Sequence, residues 1–154
     1  MVAVNLYNQQ REIRFFPNKQ DLEDVIQAVL DHENEVADFI DIHFLSDKKM
    51  QELHEKYFND PSSTDCMSFP IDQTEEHPRV LGDIFICPKT AWDYVQNDPV
   101  LFWKEITLYI IHATLHLLGY EDSTVQKRTT MKRKEKAILS SLTRKGKLVS
   151  GILY

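Results

Sequence analysis

Residues 100–118 read VLFWKEITLYIIHATLHLL and constrain the fold more than any other segment. Apolar side chains fall nearly all round a helix of this sequence, so it must be covered on most sides. A chain containing such a helix has to wrap its remaining elements about it. Gly119 follows where a left-handed C-cap residue is wanted. Two imidazoles, His112 and His116, ride on this otherwise apolar rod. A buried imidazole is costly without a polar partner.

The spacing of the two histidines suggests what that partner is. Residues four apart on a helix lie about 40° apart around the axis and one turn apart along it, so both rings reach one ion at about 2.0–2.1 Å. Gly119 lets the chain reverse, and a third ligand at Asp122 can then return to the same ion. Glu121 is the competing carboxylate. Three protein ligands leave an open position for water, the catalytic rather than the structural arrangement. The alternative is a pair of core histidines bonded to backbone or acidic groups. Ala113 argues against a zinc protease, in which a Glu directly after the first His acts as general base.

The rest of the chain supplies a mixed set of elements. Residues 2–7 alternate loosely, as an edge strand does. Asp21 opens a helix to Asp31, with Leu22, Val25, Ile26, Val29 and Leu30 at helical spacing. Residues 38–45 alternate, placing Phe39, Asp41, His43 and Leu45 on one face and Ile40, Ile42 and Phe44 on the other. Ser46 is an N-cap for a helix to Tyr57, with Met50, Leu53 and Tyr57 as its apolar stripe. A loop at 59–65 precedes a short strand at 66–71 that Pro70 ends or leaves exposed, and a polar loop at 72–79 precedes a strand at 83–87. Pro88 suits the first turn of a short helix. After the long helix, Ser123 or Thr124 caps a basic helix to Leu142, packed through Val125, Met131, Ala137, Ile138 and Leu142. Strands and helices are mixed without strict alternation. The expectation is an α+β fold, one domain over residues 1–154, with a mixed sheet of about four strands and about five helices.

Composition narrows the function classes. Apolar residues make up 42% and charged residues 27%, which excludes a disordered chain. No apolar run is long enough for a membrane span, and the N-terminus lacks the pattern of a signal peptide. Two cysteines, Cys66 and Cys87, are too few for a disulfide framework and fit a reducing cytoplasm. The net charge of −6 hides an asymmetry: from Ser123 onward nine basic residues face one acid, a balance of +8 on a body of −14. Such a tail is either a polyanion-binding face or a solvated helix. His43, His54 and His77 read as surface or packing residues. Glu105, seven residues before His112, reads as a hydrogen-bond partner behind a ligand imidazole, a base acting through water, or a buried or solvated acid.

The segment HATLHLLGYED at 112–122 resembles the HGxLHLxGYDH motif of the YbeY-type endoribonucleases. STDCMSFP at 63–70 is similar to their PT(D/N)VLSFP block, and LGDIFICP at 81–88 to their LGDIxIxx block. Met131 and Glu135 occupy the positions of their MxxxE. The resemblance implies a zinc-dependent, single-strand-specific endoribonuclease acting in 16S rRNA processing and ribosome quality control. One zinc ion would be held by His112, His116 and Asp122, with Asp122 standing where the family has a third His. A carboxylate there makes the site harder and opens it to other divalent transition metals. Ser68, Lys127 and Arg128 are the candidate substrate contacts. The implied partners are single-stranded rRNA and the ribosomal small subunit or its proteins, with no DNA and no membrane. Phe58 follows Tyr57 where the family has Arg, which removes a phosphate contact. A ribosome-associated assembly or binding factor with a structural metal is the competing reading.

Overall fold

The computed structural model describes residues 1–71 and 77–154. The polar loop expected at 72–79 therefore falls partly, at 72–76, outside the described residues. Strand β1 (Ala3–Asn8) is followed by β2 (Phe15–Pro17), helix α1 (Lys19–His32), β3 (Phe39–Phe44) and α2 (Asp47–Phe58). Then come β4 (Cys66–Pro70), β5 (Val80–Ile86), α3 (Pro88–Tyr94), α4 (Pro99–Leu117), α5 (Val125–Arg144) and β6 (Gly151–Leu153).

Four strands form a mixed sheet in the order β1-β3-β5-β4. The pairs β1–β3 and β3–β5 are parallel, and β4 runs antiparallel along the other edge. This is the expected α+β architecture, with five helices. Alternation decides which sheet face is covered. Ile40, Ile42, Phe44, Ile84 and Ile86 are fully buried and join α1, α4 and α5 in one continuous core. On the opposite face, α2 closes a smaller cluster of Leu45, Met50, Met67 and Cys87 over the β4 end. Helix α4 buries Phe102 and most of its residues from Ile106 to Leu117, as its sequence requires, while Val100, Leu101 and Lys104 in its first turns stay exposed.

Local signals explain most helix boundaries. The Ser46 hydroxyl accepts from the Lys49 amide, and the Thr124 hydroxyl from the Lys127 amide. Helix α1 starts earlier than its apolar stripe suggests, because the Asn18 side chain caps it by accepting from the Gln20 and Asp21 amides. Three packing expectations fail. Tyr57 and Val125 are exposed at the ends of α2 and α5, and Ala137 is exposed in mid-helix because it faces away from the side that buries Met131, Ile138 and Leu142. No periodicity marks the antiparallel pair β2–β6 in the sequence, because three residues per strand are too few to show one.

Candidate metal centre

The centre is built across β4. One wall is the C-terminal end of α4 with the turn after it, and the other is the end of α2. Together they enclose a cleft of about 480 Å³. Ser68 on β4 holds the two sides in register, since its hydroxyl donates to the Ala113 carbonyl at 2.8 Å. In this arrangement its proton lies on the backbone carbonyl, and Ser68 lines the cleft.

His112 and His116 project from α4 into this cleft. Gly119, at φ +100°, reverses the chain, a conformation that L side chains rarely adopt. The reversal returns Asp122 to the imidazoles. The two Nε2 atoms lie 3.1 Å apart. Asp122 Oδ2 lies 3.4 Å from His116 Nε2 and 3.7 Å from His112 Nε2. A tetrahedral ion with bonds of about 2.0–2.1 Å separates its ligands by about 3.3–3.4 Å, so this triangle fits one. Glu121 points elsewhere, pairing with Lys127 Nζ at 2.6 Å.

The outer nitrogens decide the protonation pattern. His116 Nδ1 meets the Tyr120 carbonyl at 2.8 Å, and a carbonyl only accepts. The ring proton therefore sits on Nδ1, and Nε2 presents a lone pair. His112 Nδ1 is bonded to the Glu135 carboxylate of α5, which likewise only accepts when ionised. Burial works against the charged form of His112, but the bond and charge of Glu135 outweigh it and hold its pKa above the ordinary value. Two lone pairs and a carboxylate oxygen thus converge within 3.7 Å. His112 Nε2 can carry a proton instead and then donates to its two neighbours; a metal ion would take that proton's place.

The turn that carries Asp122 is braced from two other helices. The Tyr120 hydroxyl donates to Glu33 at the C-cap of α1. Lys134 of α5 reaches the same carboxylate at 3.1 Å and lies 4.8 Å from the centre of the Tyr120 ring. Arg128 Nη1 donates to the Asp122 carbonyl at 3.2 Å. Lys127 and Arg128 are thus anchored to the ligand turn while remaining exposed at the mouth of the site.

Several sequence candidates lie elsewhere. Glu105 is half-buried beyond the cleft, its pKa raised by burial and by Asp65, and the bond to His112 that it was a candidate to make belongs to Glu135. His43 pairs with Asp83, and His77 with Asp38. His54 binds the Asp60 carbonyl and borders the cleft. Cys66 also lines it, and burial pushes its thiol pKa well up. Glu135 carried a usable signal, because it occupies the apolar stripe Met131, Ile138, Leu142 of α5, where an acid needs a partner. Tyr120, Glu33 and Lys134 come together only through the tertiary fold.

The sequence matches the family described as Endoribonuclease YbeY over residues 4–143. Curated relatives named Endoribonuclease YbeY include those of Chlamydia felis, 34% identical over 97% of this chain and 96% of theirs, and Protochlamydia amoebophila, 37% identical over 79% and 81%. That of Chlamydia abortus is 40% identical over 74% of this chain and 75% of its own. A Thermotoga maritima protein solved in solution shares the fold at a TM-score of 0.53 and 20% identity, over 96% of this chain and 95% of that one.

Proposed function

The chain belongs to the Endoribonuclease YbeY family, and from that premise we propose that it is a metal-dependent endoribonuclease that cleaves single-stranded RNA during rRNA maturation. The observation that carries this reading is the convergence of His112, His116 and Asp122 around a point that suits one cation. The donors fit zinc, and the carboxylate also suits nickel or cobalt. When bound, such an ion lowers the pKa of a water and offsets charge developing on phosphorus.

The protein's own groups then have distinct tasks. His112, His116 and Asp122 hold the ion, and Glu135 fixes the ring of His112. Asp122 is half exposed, so that side of the site is open to a substrate. The basic helix α5 begins beside the ligand turn and attracts the phosphate backbone by counterion release. The 16S rRNA of the small subunit is the proposed substrate, and the cytoplasm the proposed location.

The test is cleavage of a single-stranded oligoribonucleotide by the metal-loaded protein, with and without chelator, beside His116→Ala. Cleavage that disappears in both controls supports the enzyme. Cleavage that survives both belongs to a contaminant. Small-subunit binding without any cleavage favours the assembly factor, a reading supported by Phe58 and by the absence of Lys and Arg from the described lining of the cleft.

A further inference from the structure

The cleft wall opposite the ligands carries the feature that the endoribonuclease reading leaves unused. Phe58, the last residue of α2, lines the same cleft as His112, His116 and Asp122, with 53% of its surface exposed. Its ring packs against two neighbouring rings. His54 lies 5.2 Å away with planes 38° apart, and Phe69 lies 6.1 Å away at 32°. Helix α2 stops directly after it at Asn59, in the left-handed conformation, so no further turn covers the ring.

We propose that Phe58 is a stacking platform for one unpaired nucleobase of the RNA whose phosphate backbone reaches the metal centre. The proposal rests on the RNA-cleaving reading of that site and names one of its binding contacts. Electrostatics favour a base over a phosphate at this wall. The described lining contains the carboxylates of Asp65, Glu121 and Asp122 and no Lys or Arg. Lys56, two residues before Phe58 on α2, lies over the Tyr57 ring at 5.3 Å and is not among the described lining of the cleft. Lys127 answers Glu121 from the far side of the cleft, and Phe58 itself offers a phosphate no hydrogen-bond donor. A base is uncharged and gains from an aromatic face whatever its identity. The platform also gives RNA a foothold in a cleft whose described lining has no Lys or Arg, and it favours single strands, because freeing a paired base to stack costs its pairing and stacking energy.

The test combines protein and RNA changes. Binding of a labelled single-stranded oligoribonucleotide is measured by anisotropy for wild type, Phe58→Ala, Phe58→Tyr and Phe58→Leu. Each is repeated with an abasic site walked along the strand. Loss of one aromatic stack weakens binding roughly 10- to 100-fold. Phe58→Ala and Phe58→Leu should show that loss, and Phe58→Tyr should not. At one strand position the abasic RNA should bind wild type as weakly as Phe58→Ala, with no further loss when both changes are combined. The abasic site keeps its phosphate, so a purely structural or phosphate-related role does not produce this coupling. If wild type binds RNA and Phe58→Ala binds equally well, or loses the same factor at every abasic position, the platform is overturned and the enzyme reading stands. If wild type binds no RNA, both fall.

Discussion

At the residue scale, the site turns on which carboxylate faces the imidazoles. Asp122 Oδ2 does, and Glu121 is turned to Lys127. Asp122→Ala should therefore lose metal by orders of magnitude, Glu121→Ala should retain it, and Asp122→His should restore a three-donor set; metal content per chain decides among them. Glu135 acts one bond further out. A carboxylate behind a ligand imidazole fixes its tautomer and raises its basicity, and losing such a partner costs about 10–100-fold in metal affinity. Glu135→Gln should show a loss of that size in chelator competition. Unchanged affinity would reduce Glu135 to a packing residue. The sequence marked this acid by its place in the apolar stripe of α5, but not its target, because the contact joins residues 23 apart in the chain.

At the scale of elements, two features position the cleft. The strand pair β4–β5 approaches so closely at Gly82 that a Cβ there would lie 2.3 Å from the Phe69 carbonyl oxygen, and φ is +138°. Gly82→Ala should cost about 1–3 kcal/mol in backbone strain alone, with the clash added, and should loosen β4 and the Ser68–Ala113 bond with it. A thermal melt near that of wild type would contradict this account. Helix α5 is the second feature. Replacing Lys127, Arg128 and Lys132 with Ala should weaken RNA binding and flatten the salt slope by about 0.7 per lost phosphate contact. Metal content must be followed in parallel, since Arg128 also holds the Asp122 carbonyl. An unchanged slope would leave α5 a solvated structural helix.

At the scale of the whole molecule, Glu33 ties three parts together: the end of α1, the ligand turn through Tyr120, and α5 through Lys134. Burial alone would raise the pKa of this carboxyl, but its bonds to Tyr120, His32 and Lys134 win and lower it below the ordinary 4.5. A carboxylate with a depressed folded pKa stabilises the fold fully above its unfolded value, and the benefit fades as pH falls through the folded one. Glu33→Gln should therefore be less stable than wild type at neutral pH, and the gap should close as pH drops below about 4.5. A gap that stays constant would mean that the charge of Glu33 contributes nothing. The sequence by itself determined the central buried helix, the alternation of β3, the cap at Ser46, and the pairing of His112 with His116, because each is a local signal written within a few residues. Only the tertiary structure decided what β4 brings together: the choice of Asp122 over Glu121, the Glu135 and Glu33 braces, the bond from Ser68 to the Ala113 carbonyl, and the seat of Phe58 in the cleft. Those contacts join segments far apart in the chain, and no periodicity or spacing along one element encodes which distant side chain will fill the space beside it.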